Sequence, residues 1–311
     1  MTPHRPLSLL AALSFSAAFA TPLAAQEPLQ VLATVGMIGD IAAQVGGDCT
    51  QVTTLMGPGT DPHLFSPAPS DLRALQGAEI ILYGGLHLEG QLGEVLAKLG
   101  QSRPTVAVSE GAVPEDSRLT AKDLPDPHVW MDPGLWKGTV PVIAAAITEA
   151  RPDCAGAIAT NAAAVEARIQ TLDDWARASL ATIPSGHRTL VTAHDAFAYF
   201  GRAFDMQVAA IQGISTTSEA AIADIDAVAD TVVSAGVPAV FVESTVNPRT
   251  IEALLQAVAA KGGDVKIGGQ LYSDSMGAEG SEDASYIGMI RHNVTVITES
   301  LGGTPAPWPE G

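Results

Sequence analysis

Basic side chains are scarce in this sequence. Its 311 residues include 16 lysines and arginines against 34 aspartates and glutamates, which gives a formal net charge of -18. Nucleic acid and anionic lipid are polyanions that bind basic surfaces, so we expect this protein to bind neither of them. An acidic surface is compatible with a cationic ligand, but net charge does not locate a site.

The signatures of several common catalytic sites are also missing. The sequence contains no H-E-x-x-H motif, no G-x-S-x-G motif and no glycine-rich phosphate loop. Zinc peptidases, serine hydrolases and many nucleotide-binding enzymes carry these motifs. The sequence therefore favours a protein that is not an enzyme.

Cysteine occurs only twice, at Cys49 and Cys154, and no C-x-x-C redox motif is present. Two cysteines in an exported protein are a candidate disulfide. The alternative is a pair of buried free thiols, because the sequence does not show whether the two residues approach each other.

Long apolar runs are confined to the start of the chain. Arg5 precedes an apolar stretch over residues 7–20, which is too short to span a bilayer, and small residues follow it. We predict a secretory signal peptide over residues 1–25, with cleavage after Ala25 preferred over cleavage after Ala20. The leader has no cysteine to carry a lipid, so the mature protein is expected in the periplasm.

The remaining residues show two series of short β-rich runs that alternate with helical patterns. Strands are predicted at 31–35, 52–56, 80–83 and 106–108, and again at 189–192, 208–211, 239–242 and 265–267. This alternation predicts an α/β fold with two βα lobes. The lobes are expected at residues 26–151 and 184–311.

Residues 152–182 lie between the two series and have apolar side chains at helical spacing. A helix of about 25 residues is roughly 40 Å long, which is more than one lobe needs. We therefore predict that residues 152–183 form a long, rigid connecting helix.

Four side chains that can bind metals follow predicted strands or lie in loops. His63 follows the strand at 52–56, His128 lies in a proline-bounded loop, His194 ends a strand, and Asp274 follows the last strand. Ligands of α/β sheets bind at the carboxyl ends of strands. Three imidazoles and a carboxylate suit Zn(II) or Mn(II) and are too rich in nitrogen for calcium or magnesium. Taken singly, each of these residues is more often a structural hydrogen-bonding or turn residue.

Eight short motifs follow one another along the chain. They are G-P-G at 57–59, D-P-H-L-F-S-P at 61–67, G-L-H-L-E at 85–89, D-P-H-V-W-M-D-P at 126–133, A-H-D-A-F-A-Y-F at 193–200, G-I-S-T at 213–216, F-V-E-S at 241–244 and Y-S-D-S at 272–275. In these motifs and their order the sequence resembles the zinc and manganese solute-binding proteins of ABC importers, the TroA-like or cluster A-I family. The resemblance covers nearly the whole mature chain.

The resemblance implies a site and a function. It implies that the ligands are His63 and His128 from the first lobe and His194 and Asp274 from the second, with the metal site between the lobes. The ion, Zn2+ or Mn2+, would be captured in the periplasm and delivered to an inner-membrane ABC permease by a monomeric protein. A periplasmic metal buffer or chaperone without a transporter is the alternative, and a metal-dependent hydrolase is less favoured.

The same resemblance bears on metal preference. Family members devoted to manganese often have glutamate where this chain has His194, and many members devoted to zinc have a histidine-rich loop before the second ligand. Residues 110–124 of this chain contain no histidine. The resemblance therefore implies the less specialised type, which is associated with both metals.

Two further residues have open interpretations. Glu243 follows a predicted strand and either accepts a hydrogen bond from a ligating imidazole or serves as a capping or solvated carboxylate. His87 is expected to have a structural role in preference to ligation.

Overall fold

The structure is a computed structural model that describes residues 27–309. The predicted signal peptide, residues 1–25, lies outside the described residues, and so do residues 310–311. No helix within the described part of the chain is both long enough and apolar enough to cross a membrane.

The first βα series forms a four-stranded parallel sheet with strand order β2-β1-β3-β4. Strand β1 is central because Val31 pairs with Val52 on one side and with Ile80 on the other. Two short antiparallel strands, each of two residues, pair with each other outside this sheet. The strands are β1 (Leu29–Val35), β2 (Thr50–Met56), β3 (Ile80–Tyr83), β4 (Thr105–Ala107), β5 (Thr120–Ala121) and β6 (Leu124–Pro125).

Helices connect these strands and cover the sheet. They are α1 (Gly36–Gly46), α2 (Pro69–Gly77), α3 (Leu92–Leu99), α4 (Val108–Ala112), α5 (Pro133–Trp136) and α6 (Thr139–Ala150). Helix α1 follows β1 directly and buries the apolar side chains of Met37, Ile38 and Ile41. This apolar face packs on the sheet and on helix α6.

A long helix, α7 (Ala155–Leu180), follows the first series. Its 26 residues are about 39 Å long at 1.5 Å per residue. The helix begins after a short 3-10 turn, Pro152–Cys154, so it starts three residues later than the sequence pattern predicted. The predicted disulfide is confirmed: Cys154, at the start of α7, is bonded to Cys49, which follows α1.

The second βα series forms two parallel pairs of strands, β7 with β8 and β9 with β10. Strands β7 and β9 are neighbours. The strands are β7 (Thr189–His194), β8 (Gln207–Gln212), β9 (Ala239–Glu243) and β10 (Lys266–Leu271), and the helices are α8 (Ala198–Phe204), α9 (Ile222–Ala235), α10 (Arg249–Ala260) and α11 (Tyr286–Ser300).

The last strand, β10, is longer than its sequence pattern predicted. Gly268 and Gly269 interrupt the run of β-branched residues. The register shifts between Ile267 and Gly269, and pairing with β9 then resumes at Gly269 and extends to Leu271. A Cβ atom on Gly269 would lie 2.7 Å from the side chain of Val296 in helix α11. Glycine here allows α11 to pack closely against the strand.

The buried core extends beyond each series of strands. Helix α7 contacts α1, α5 and α6 of the first series and α11 of the second. As a result, a single apolar core extends from β1 across α7 to α11, and a smaller core lies between β7, β9 and helices α9 and α10. The predicted α/β fold with a long connecting helix is confirmed.

Candidate metal centre

The four predicted ligands come together in one buried group. One nitrogen or oxygen atom of each residue lies within 4.8 Å of those of the other three, the set being His63, His128, His194 and Asp274. None of the four residues is more than 5% exposed. Two of them come from the first βα series and two from the second.

Strand ends and loops position these residues. His194 is the last residue of β7, and Asp274 lies three residues after the end of β10. His63 follows β2 through a turn that is closed by a hydrogen bond from the backbone N–H of Thr60 to the carbonyl of Gly57 (3.1 Å). His128 lies in the loop after β6. The group therefore lies where the carboxyl ends of the parallel strands meet.

Asp274 lies at the centre of the group. Its Oδ2 atom is 3.3 Å from Nε2 of His194 and 3.6 Å from Nε2 of His63. Its Oδ1 atom is 3.5 Å from Nε2 of His128. All three imidazoles therefore direct the same ring nitrogen, Nε2, towards one carboxylate.

A carboxylate holds the opposite ring nitrogen of His194. Nδ1 of His194 donates a hydrogen bond to Oε2 of Glu243 (2.5 Å), and Oε1 of Glu243 accepts from the backbone N–H groups of Ala193 and His194 (2.7 and 2.9 Å). Glu243 is thus a hydrogen-bonding partner of the imidazole and not a capping or solvated residue. Such a contact fixes the ring orientation and leaves Nε2 free for a metal.

Asp126 holds His128 in the same way. Its Oδ1 atom accepts hydrogen bonds from Nδ1 of His128 (2.7 Å) and from the backbone N–H of the same residue (2.9 Å). This role of Asp126 was missed from the sequence, although the D-P-H spacing contained the signal.

Trp130 lies beside this pair. Its ring centroid is 5.3 Å from that of His128, and its Nε1 atom donates to the carbonyl of Ser273 (2.8 Å). The indole therefore packs against the ring of His128 and joins the loop that carries His128 to the loop that carries Asp274.

The pKa values of the cluster reflect burial and mutual charge. Burial lowers the pKa of His63 to about 4, so its imidazole is neutral at physiological pH. Burial acts in the same direction on His194, but the carboxylates of Glu243 and Asp274 outweigh it and raise the pKa of His194 well above the ordinary value. Burial alone would raise the pKa of Asp274, yet the three histidines hold it well below its usual range.

The donor atoms fit a divalent cation. Within residues 27–309, Nε2 of His194 and both carboxylate oxygens of Asp274 are buried without a hydrogen-bond partner. Buried polar atoms rarely remain unpaired in proteins. Three carboxylates lie in the group or beside it, those of Asp126, Glu243 and Asp274. Within residues 27–309, their ion-pair partners are histidines and not lysines or arginines. A cation bound between the Nε2 atoms and Asp274 would balance this buried negative charge.

The loop that contains the G-L-H-L-E motif packs against His63. Glu89 is buried and accepts hydrogen bonds from the backbone N–H groups of Gly84 (2.5 Å) and Gly85 (3.2 Å) and from the hydroxyl of Thr34 (2.8 Å). The same loop brings Gly90 against the backbone of His63, where a Cβ atom would meet the carbonyl oxygen at 2.6 Å. Glycine is therefore required for this close approach.

The remaining histidines of the described chain lie outside the group. Nδ1 of His187 contacts the carbonyl of Leu301 (3.1 Å), and Nε2 of His292 contacts the carbonyl of Gln270 (2.9 Å). His87 is exposed at the surface. Each of these two histidines therefore contacts a backbone carbonyl away from the buried group.

An α/β fold with a buried group of three histidines and one aspartate is typical of a metal-binding protein. Comparisons with known proteins identify the family. Residues 31–300 match the family described as ZnuA, the periplasmic component A of a zinc-uptake complex. The chain therefore belongs to the ZnuA family. This family consists of solute-binding proteins that work with ABC permeases.

Two curated relatives cover most of the chain. The chain is 43% identical over 279 residues to the manganese-binding lipoprotein MntA of Bacillus subtilis, with 89% of this chain and 91% of the relative covered. It is 40% identical over 290 residues to the zinc-binding protein TroA of Treponema pallidum, with 92% and 94% covered.

Solved structures show the same fold. The periplasmic zinc-binding protein TroA of Treponema pallidum superposes with a TM-score of 0.86 at 39% identity, covering 88% of this chain and 99% of that one. Fe(III)-bound YtgA of Chlamydia trachomatis superposes with a TM-score of 0.82 at 27% identity, covering 90% and 100%.

Proposed function

We propose that this protein captures a divalent transition-metal ion, zinc or manganese, in the periplasm and delivers it to an inner-membrane ABC permease. The observation that carries the proposal is the convergence of three buried Nε2 atoms on the carboxylate of Asp274. The ligands in this proposal are His63, His128, His194 and Asp274. The protein acts as a monomer, with lobes at residues 26–151 and 184–311.

The donor set supports both zinc and manganese as cargo. Imidazole nitrogen and carboxylate oxygen bind either ion, and one similar protein is named for manganese and another for zinc. Each imidazole must be neutral at Nε2 to bind. The pKa of His63 meets this condition at neutral pH, whereas His194 must give up a proton when the metal enters.

Binding without catalysis is the second part of the proposal. Catalytic zinc sites usually combine three protein ligands with an open position for water, whereas structural sites are closed by four. Four side chains converge here, and all four are buried. The arrangement therefore favours a carrier over a metal-dependent hydrolase.

Elemental analysis of protein purified from its own periplasm without chelator tests the capture step. The expected result is about one equivalent of zinc or manganese per chain, and a metal-free protein that also failed to bind added metal would contradict the proposal. Metal uptake by vesicles that contain the cognate permease tests delivery. Uptake that does not depend on this protein would favour the metal buffer or chaperone over the transport role.

A further inference from the structure

The D-P-H motif occurs twice in the metal centre, and its aspartate has a different partner each time. In the second copy, Asp126 bonds to the ring of His128. In the first copy, Asp61 accepts only the backbone N–H of His63 (2.9 Å) through Oδ1, while its Oδ2 atom accepts the hydroxyl of Thr216 (2.5 Å). Thr216 belongs to the second βα series, so the first aspartate links the two series.

His63 is the least restrained of the three imidazoles as a consequence. Carboxylates hold Nδ1 of His128 and Nδ1 of His194. For Nδ1 of His63, residues 27–309 provide no such partner. The ring of His63 is therefore positioned mainly through its backbone, which is part of the segment that follows β2. We call residues 57–64 of this segment the gate segment.

The gate segment borders two cavities. Gly57 and Pro58 line a cavity of about 350 Å³, and Asp61 and Leu64 line another of about 390 Å³. The side chain of Leu64 is 58% exposed. Both ends of the segment therefore border open space, while its middle packs against Gly90 at His63. The strand end that carries His194, in contrast, is fully buried.

Two hydrogen bonds connect the gate segment to the second series. One is the contact between Asp61 and Thr216, and the other joins the backbone N–H of Gly59 to the hydroxyl of Ser275 (3.0 Å). Both are only partly buried. The loop of His128, in contrast, is tied to the second series by the buried hydrogen bond from Trp130 to Ser273.

The rest of the molecule resists separation of the two series. The hydroxyl of Tyr286 in α11 donates to the carbonyl of Trp130 (2.9 Å), and the backbone N–H of Tyr286 donates to Asp40 in α1 (2.9 Å). The apolar core is continuous from the first sheet to α11. Local movement of one segment therefore disturbs less packing than separation of the lobes.

We propose that the gate segment opens to admit and release the metal, that His63 is the ligand that leaves first, and that Asp61 is a positioning residue whose hydrogen bond to Thr216 latches the gate. This inference rests on the proposed function, because it assigns a role to one of the four proposed ligands. In this mechanism, the hydrogen bond between Asp61 and Thr216 controls how fast the metal dissociates, although neither residue is a metal ligand.

Dissociation kinetics of the Co(II)-loaded protein test the latch. Thr216→Val removes the hydroxyl and keeps the shape of the side chain, while Thr216→Ser retains the hydroxyl. Ser215→Ala is a matched control, because within residues 27–309 the hydroxyl of Ser215 forms hydrogen bonds with Thr217 and not with Asp61. The protein is loaded with Co(II), mixed rapidly with excess EDTA, and followed through the d–d absorption of bound cobalt.

Thr216→Val is expected to release cobalt about tenfold faster than wild type, since loss of one hydrogen bond to a carboxylate changes a rate by about that factor. Thr216→Ser and Ser215→Ala should remain within about twofold of wild type. The absorption spectrum before mixing should be the same in all variants, which would show that the ligands are unchanged.

Equal release rates in Thr216→Val and wild type, with normal cobalt loading, would overturn the gate and leave the proposed function intact. So would an equal acceleration in Thr216→Val and Ser215→Ala. A wild-type protein that bound no cobalt would contradict the gate and the proposed function together.

Discussion

Nδ1 of His194 lies 2.5 Å from Oε2 of Glu243, and this contact determines which ring nitrogen faces the metal centre. The other oxygen of Glu243 already accepts two backbone N–H groups, so the carboxylate is held in place and acts as an acceptor. The ring of His194 must therefore carry a proton on Nδ1 and present Nε2 to Asp274.

Glu243→Gln should weaken metal binding by about 10- to 100-fold, because partners of this kind contribute that much to metal affinity. The glutamine can still accept from the backbone, but its amide cannot satisfy the ring N–H and the backbone equally well. Affinity is measured by competition with a chromogenic chelator. Asp283→Asn is the matched control, since Asp283 faces Nδ1 of His292 (3.4 Å) outside the cluster. An equal loss of affinity in both variants would argue against a specific role for Glu243.

Metal binding at neutral pH should release about one proton. The pKa of His194 is raised well above its ordinary value, so the metal-free protein carries an imidazolium there at pH 7, whereas His63, with a pKa of about 4, is already neutral. Protons compete with the ion below the raised pKa, and affinity should therefore increase about tenfold per pH unit around neutrality. Titration calorimetry in two buffers with different ionisation enthalpies gives the number of protons. A value near zero at pH 7 would contradict the assigned charge state.

Wild-type protein should bind zinc more tightly than manganese, because Mn(II) is lowest in the Irving–Williams order for a fixed set of ligands. His194→Glu should lower zinc affinity more than manganese affinity, since it replaces nitrogen with a harder oxygen donor. A glutamate at 194 would face Glu243, so the substitution is made in the wild-type and the Glu243→Gln backgrounds. Parallel chelator competitions with both ions give the selectivity ratio, and tighter binding of manganese by wild type would refute this ranking.

Removal of the disulfide should affect stability and not metal binding. The bond joins residues separated by 105 positions, and a closed loop of this size lowers the entropy of the unfolded chain. Cys49→Ser with Cys154→Ser should lower the free energy of unfolding by roughly 4 kcal/mol, measured by urea denaturation. Metal affinity of the folded variant should stay within about threefold of wild type. A large loss of affinity would mean that the bond also shapes the metal centre.

Several features could be predicted from the sequence because they depend on local pattern. The positions of His63, His128, His194 and Asp274 were identified because strand ends and D-P-H motifs mark loops at one edge of a sheet, and the structure brings all four together. Which of them bind the ion stays a prediction until metal binding is measured.

Other features depend on contacts between distant residues, and sequence pattern does not reveal them. The roles of Asp126 and Glu89 follow from hydrogen bonds within folded loops. The full length of β10 was missed because Gly269 weakens the strand pattern, although the close packing of α11 requires it. The continuous core through α11 could not be predicted either, since the order of elements along the chain suggests two separate lobes.

Equilibrium zinc and manganese titration of single alanine variants, by competition with a chromogenic chelator, tests the metal centre most directly. We expect four substitutions each to weaken binding by at least about 100-fold, which is more than the loss of a supporting partner costs. They are His63→Ala, His128→Ala, His194→Ala and Asp274→Ala. His187→Ala should bind like wild type, because the ring of His187 contacts the carbonyl of Leu301 and lies outside the metal centre. Near-wild-type affinity in two or more of the four cluster variants would contradict the account.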